Sequence, residues 1–248
     1  MKLLTLTKIS IISLMIVGFI FSISTYNYDR EVNRIISSNK VVMITFDDGP
    51  SACADEKILD VLDKYDVKAT FFMTGINLSK YVNNTSIKKV VDRMIQGGHS
   101  IGNHSYYHNE YINNQVQLVK ELNDVNDMIK HVYNENGKKI ESKDIPIRMP
   151  YLQYYRGLGY VQKKVANPYW VRGYLGTDYL EEKTGKEEIL NQYFSHLRNG
   201  QIFVAHTRDY AKVWLPEFLE TLLKHGYAFA NFTKDTPSYY LNYGKLGS

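Results

Sequence analysis

The chain is predicted to be a single-domain α/β protein on a parallel sheet, open or closed into a barrel. Three observations predict this. Short apolar runs of strand length alternate with amphipathic segments of helical period along most of the chain. Polar residues with chemical potential fall at the ends of successive strand-like runs, where a parallel barrel gathers its functional groups on one face. The 248 residues suffice for one sizeable core and carry no internal repeat, low-complexity tract or Pro/Ser-rich linker.

The elements follow in order. Residues 41–46 read as a buried strand, because Val41, Val42, Met43 and Ile44 form an unbroken apolar run. Residues 55–65 read as a helix with Ile58, Leu59, Val61 and Leu62 on one side. Residues 68–73 are the next strand, closed by Gly75, and residues 87–96 a helix stopped by Gly97-Gly98. Residues 100–103 form a short extended piece leading into His104. Residues 114–133 are a long helix whose stripe is Val116, Val119, Leu122, Val125 and Ile129. Residues 145–148 are extended, 160–166 a short helix, and 170–174 extended. A helix at 186–198 ends at Asn199-Gly200, and an apolar strand at 201–205 follows. A helix at 213–224 ends before Gly226, and 227–232 is the last strand.

The N-terminal segment stands apart. Lys2 and Lys8 precede an apolar run at 9–23, the pattern of an export signal, with Ser22-Ile23-Ser24 as a weak cleavage site. The run is short for a membrane span of roughly 20 residues, so a cleaved signal and a retained membrane anchor both stay open for residues 1–24. Residues 25–37 are expected to connect it to a globular domain over 38–248, working outside the cytoplasm at the cell envelope or beyond.

The formal charge is +4, from 30 basic and 26 acidic residues, and no basic run accompanies it. That balance gives no footprint for nucleic acid. Cys53 is the only cysteine, so no disulfide forms within the chain; it is expected to be a small buried side chain. Tyr is abundant, at 21 residues. Sugar binding is one use for exposed Tyr, and compositional bias is the other reading.

The chemistry concentrates in Thr45-Phe46-Asp47-Asp48-Gly49-Pro50. Two carboxylates sit where a strand ends, before a Gly-Pro turn. Neighbours at a strand end can point to different sides, so one acid can hold a metal while the other handles a proton. The pair also makes a good surface turn. Against that bland reading stands His104-Ser105-Tyr106-Tyr107-His108. One Asp and two His form a ligand set for a catalytic divalent ion with a position left open. Arg148, Asp178 and His206 end or follow further extended runs. His99, His131, His196 and His225 read as structural, surface or capping groups.

In these motifs the chain resembles the polysaccharide deacetylase family, also called the NodB-homology domain or carbohydrate esterase family 4. The segment 45–50 resembles its first motif and 98–108 its second. Arg148-Met149-Pro150-Tyr151, Thr177-Asp178-Tyr179 and Ile202-Phe203-Val204-Ala205-His206 resemble the later ones, over about residues 40–235 in all. The resemblance implies a distorted (β/α) barrel with fewer than eight complete units, and metal-dependent hydrolysis of N- or O-acetyl groups on carbohydrate. It implies one divalent ion on Asp48, His104 and His108, zinc first, with Co2+, Mn2+ or Ni2+ as alternatives. It implies Asp47 as general base, His206 as general acid, Arg148 and Asp178 tuning them, and the Tyr151 N–H stabilising the oxyanion.

Two departures stand out. Tyr179 stands where the family usually has Trp, and Thr207-Arg208-Asp209 follows His206 where an acidic residue is common. Asp209 is therefore an alternative to Asp178 as partner of His206. Val204 is expected to help form an apolar pocket for the acetyl methyl group, with ordinary core as the other reading. The 151–155 segment either stacks on sugars or packs a loop. The expected substrate is an N-acetylated glycan, peptidoglycan N-acetylglucosamine first. A lipid-linked amino sugar, an O-acetyl xylan-type glycan and an inactive glycan-binding role are the alternatives. Oligomeric state is not legible.

Overall fold

A computed structural model describes residues 31–111, 113–153, 157–165, 167–232 and 245–247. All belong to one compact unit, Glu31–Ser248. The expected signal or anchor at 1–24, and Tyr154 and Tyr155, lie outside the described residues. Among the described residues no helix is long and apolar enough to cross a membrane.

The chain folds as β1 Glu31–Val32, β2 Arg34–Ile36, β3 Val41–Gly49, α1 Ala52–Lys64, β4 Thr70–Met73, α2 Gly75–Leu78, α3 Thr85–Gln96 and β5 Ser100–Asn103. There follow α4 Gln115–Glu135, α5 Leu158–Lys164, β6 Trp170–Val171, β7 Tyr174–Leu175, α6 Lys186–Ser195, β8 Ile202–His206, α7 Ala211–Lys224, β9 Ala228–Phe229 and β10 Lys245–Gly247. The folded unit thus starts before residue 38. Glu31 and Val32, expected in a connecting segment, pair in parallel with Trp170 and Val171.

The main sheet runs β5-β4-β3-β8-β7, all parallel, with β9 beside the start of β3. Parallel bridges from Asn103 to Ile147 and from Ile147 to Trp170 carry the arc on to β6 and β1. The segment expected as one extended piece at 170–174 is therefore two strands at opposite sides of the arc. Arg172-Gly173 spans the gap between them. Among the described residues no strand ladder closes the circle, although one antiparallel bridge joins Arg34 to Gln201. The result is a distorted (β/α) barrel with fewer than eight complete units.

Two-residue periodicity sorts the strands into two faces. On β3, Val42, Ile44 and Phe46 point outward into the core shared with Ile58, Leu62, Val125 and Phe218 on the helices. Val41 and Met43 point inward, with Phe72, Val171 and Ile202. Thr45 and Asp47 continue that inward parity, so the strand that builds the core also delivers a carboxylate to its C-terminal mouth.

Several helices differ from expectation. Helix α1 begins three residues early, because the Ser51 hydroxyl caps it by accepting from the Ala54 N–H. On α4 the buried stripe is Leu118, Leu122, Val125, Ile129 and Val132, while Val116 is 74% exposed. Glu121 and Asn126 are buried on the same face. Both are hydrogen-bonded there, Glu121 by the Tyr106 and Tyr107 N–H groups and Asn126 with Asn103 and Asn167. Helix α6 stops at Ser195, with His196 as its C-cap.

Candidate active site

The mouth of the barrel holds a cleft of about 370 Å³ lined by Asp47, Asp48, His104, His108, Tyr151, Leu152, Leu175, Tyr179, His206 and Arg208. In a regular strand, consecutive side chains point to opposite faces, which would allow the two acids to part. The ladder with β4 instead shifts register between Asp47 and Gly49, and Asp48 takes a φ of 75°. That bulge turns Asp48 back so that both carboxylates reach the same cleft.

Asp47 is held from beneath. Arg148, fully buried, donates from Nη1 to Asp47 Oδ1 at 2.7 Å and to Thr45 Oγ1 at 2.6 Å. Its other donors meet the carbonyls of Val171 and Arg172, each at 3.3 Å, and its plane lies 4.2 Å from the Phe72 ring centroid. A fork of donors suits such a site better than a point cation does.

The second ligand stretch leaves β5 in an irregular path, with Ser105 at φ 62° and His108 at φ 57°. Left-handed non-glycine residues cluster where function requires a strained backbone. His104 Nδ1 donates to the Arg148 carbonyl at 2.7 Å, which leaves the Nε2 lone pair facing the cleft. His104 Nε2 lies 3.7 Å from Asp48 Oδ1, and His108 Nε2 lies 3.3 Å from the same oxygen. The donor atoms of Asp48, His104 and His108 all lie within 4.8 Å of one another. Asp48 Oδ1 is buried and has no hydrogen-bond partner. An orphaned carboxylate oxygen facing two imidazole nitrogens fits a divalent cation. Burial disfavours the imidazolium at His104 and outweighs the pull of Asp47 and Asp48, so its pKa is lowered, which favours the neutral ring that a metal ligand requires. Burial works against the Asp48 carboxylate, but His104, His206, His108 and Arg208 together hold its pKa below the ordinary value.

His206 ends β8 opposite these ligands. Asp178, 1% exposed, accepts from the His206 backbone N–H at 2.7 Å and faces its Nδ1 at 3.1 Å. Burial lowers the His206 pKa, yet the hydrogen bond and charge of Asp178, with Asp47 and Asp48, outweigh it and the pKa is raised. Asp209 does not reach His206; it is exposed and pairs with Lys57 at 2.7 Å. Tyr179 meets His206 edge-on, with ring centroids 5.4 Å apart. Tyr151 sits at φ 56° and is 61% exposed, and its N–H has no acceptor among the described residues.

Other expectations are corrected or located. Val204 is core and does not line the cleft; the apolar wall is Leu175 with Leu152. Val204 shares the inward parity of His206 but pairs with Thr45, one layer below the Asp47–His206 pair, so it is buried beneath the cleft. Cys53 is exposed, because it faces outward on the first turn of α1 beside Asp209. His99 is structural. Its Nδ1 accepts from the Ala69 N–H at 3.1 Å, and burial lowers its pKa to about 4.

Two contributors were missed in the sequence. Arg208 Nη2 lies 2.8 Å from Asp48 Oδ2, so each adjacent carboxylate has its own arginine. Its signal was its place two residues beyond His206. Glu121 ties down the His104–His108 turn, and its signal was a charge inside an apolar stripe.

Comparison with known proteins accords with this arrangement. A family model described as polysaccharide deacetylase matches residues 35–170. The peptidoglycan-N-acetylmuramic acid deacetylase PdaA of Bacillus subtilis is 30% identical over 78% of this chain and 70% of its own length. A peptidoglycan-N-acetylglucosamine deacetylase of Bacillus cereus is 29% identical over 81% of this chain and 90% of its own. The solved structure of a family 4 acetyl xylan esterase from Clostridium thermocellum, in complex with cobalt, aligns with a TM-score of 0.66 at 28% identity. That alignment covers 77% of this chain and 88% of the other. A shared fold and a cleft of two acids and three histidines agree with the matched sequence: the chain belongs to the polysaccharide deacetylase family and is a glycan deacetylase.

Proposed function

We propose that the enzyme removes acetyl groups from N-acetylated glycans of the cell envelope, peptidoglycan N-acetylglucosamine first. The observation that carries this is the buried, unpartnered Asp48 Oδ1 facing His104 and His108 at the cleft floor. Asp48, His104 and His108 would hold one divalent ion, zinc first. A divalent ion there would supply Lewis acidity toward a carbonyl oxygen and would acidify a water within reach.

The chain's own groups do the rest. Asp47, fixed through Oδ1 by Arg148, keeps Oδ2 for the proton of the attacking water. As water adds to the acetyl carbonyl, the Tyr151 N–H, which has no acceptor among the described residues, donates to the developing oxyanion. His206 carries its proton on Nε2 and delivers it to the departing amine, while Asp178 on Nδ1 fixes the tautomer. The C–N bond breaks, and acetate and the free amino sugar leave. The Leu175 and Leu152 wall accommodates the acetyl methyl.

The envelope assignment rests on the Lys-then-apolar pattern of residues 1–24 and on the substrates named for two relatives. Residues 1–24 are read as export signal or anchor ahead of the catalytic domain. The test is acetate release by the zinc-loaded protein from peptidoglycan, chitin oligomers and acetylated xylan. Peptidoglycan is expected to be the best substrate. Turnover of acetylated xylan alone would move the assignment to an esterase. Elemental analysis should find one divalent ion per chain, lost in His104→Ala. Equal metal in both proteins would refute the ligand set.

A further inference from the structure

The turn that carries His108 closes around a buried anion of the protein's own. Glu121 on α4 is 4% exposed, and no Lys, Arg or His among the described residues forms an ion pair with it. Its Oε2 accepts from the backbone N–H groups of Tyr106 at 3.2 Å and Tyr107 at 3.3 Å, and from the Tyr111 hydroxyl. Its Oε1 accepts from Gln117 Nε2 at 2.7 Å. The two flanking N–H groups are also assigned. Ser105 N–H donates to Asn103 Oδ1 at 3.0 Å, and His108 N–H donates to Ser105 Oγ at 3.2 Å. Asn103 is anchored in turn to the Leu122 carbonyl and Asn126 of the same helix.

Successive N–H groups in a turn that enters the left-handed region form a concavity for anions. Here the occupant is a carboxylate. A buried carboxylate without a counter-cation is costly unless several donors satisfy it, and this one has four. A buried acid on a mostly apolar helical face is poorly explained by core stability, since packed apolar groups serve that purpose at least as well. What the carboxylate does fix is the path of residues 104–108, and so the separation of the two imidazoles.

We propose that Glu121 is a positioning residue for the metal site: its carboxylate holds the His104–His108 turn in the ligating geometry. Partners that orient metal ligands typically change metal affinity by about 10–100-fold when removed. The proposal rests on Asp48, His104 and His108 holding a divalent ion.

The experiment measures the zinc dissociation constant of the full-length protein by chelator competition, with the melting temperature of the metal-free form alongside. Glu121→Ala should weaken zinc binding by about 10–100-fold. Glu121→Gln, which keeps the shape and one acceptor oxygen, should fall between it and wild type. Leu219→Ala on α7, in the apolar core under that helix, is the control. It should lower the melting temperature and leave the zinc constant within about twofold. A merely structural role for Glu121 predicts the same pattern as that control. If Glu121→Ala does not fold, Glu121→Gln decides: a wild-type zinc constant in it overturns the proposal. If wild type itself binds no zinc, the ligand assignment has failed rather than the role of Glu121.

Discussion

Asp47 and His206 are register partners on adjacent parallel strands, β3 and β8. Neighbouring strands lie roughly 4.8 Å apart, so the central ladder of the barrel sets the spacing of the proposed base and acid. The ladder continues past them, since Thr207 N–H donates to the Asp47 carbonyl at 2.9 Å. The proposed metal ligands, by contrast, come from a bulge and an irregular turn. Regular strands fix the proposed proton-transfer groups, and irregular backbone carries the proposed ligands.

Asp47→Asn keeps the size of the side chain and removes the proton acceptor. It should retain metal and lower kcat by about 10²–10⁴-fold. His206→Ala should also retain metal. Its loss should be larger on an amide than on an ester of the same sugar, because an amine leaves poorly until protonated. Equal losses on the two substrates, or a metal-free His206→Ala protein, would show that His206 does not serve the leaving group.

Arg148 is the structural counterpart of Asp47. Arg148→Met leaves a buried carboxylate without its cation, and breaking a buried pair in this way costs about 3–5 kcal/mol. Arg148→Lys should recover little, because one ammonium cannot serve Asp47, Thr45 and two backbone carbonyls at once. Urea denaturation of the three proteins at neutral pH tests this. A lysine variant as stable as wild type would mean that only the charge matters.

Much of this architecture was legible in the chain. The apolar runs around Ile44, Phe71 and Val204 mark the central strands, because buried parallel strands carry little but core residues. The residues that the structure gathers in the cleft were legible through ordered motifs, which fix residue identity and sequence order. What local pattern could not carry was geometry that depends on distant partners. The bulge at Asp48 arises from register against β4. The burial of Glu121 depends on a turn more than ten residues earlier, and the pairing of Arg208 with Asp48 joins residues 160 apart in sequence. Strands β1 and β2 are too short for periodicity to register.

Asp55 offers a pH test of stability. Burial raises its carboxyl pKa to about 7, against the lowering effect of the Ser51 N–H and the Thr207 hydroxyl. The folded value exceeds the unfolded one of about 3.9, so the folded state binds more protons between them. Stability from this group is fully present below about pH 4, falls as pH rises, and levels off above about 7. Asp55→Asn can accept from Ser51 and donate to Thr207 without ionising. It should be flatter than wild type across that window and more stable at neutral pH, by at most about 4 kcal/mol. Melting temperatures from pH 4 to 8 check this; parallel curves for the two proteins would assign the slope to other groups.

Asp178 sets the pH range over which His206 can act as an acid. The imidazolium is opposed by burial and favoured more strongly by Asp178, so its pKa is raised. The acid form is the active one, so kcat/KM should fall as pH rises through that value, giving the basic limb of the profile. Asp178→Asn keeps a hydrogen-bonding group beside Nδ1 but removes the charge. The pKa of His206 should then drop, and the basic limb should move to lower pH, with most of the loss in activity appearing at alkaline pH. Asp209→Asn should leave the limb where it is, because Asp209 is exposed and engaged with Lys57. The comparison needs kcat/KM profiles of the three proteins on one N-acetylated substrate at constant zinc. A basic limb that moves with Asp209 and not with Asp178 would reverse the assignment, and one that moves with neither would place the titrating group elsewhere in the cleft.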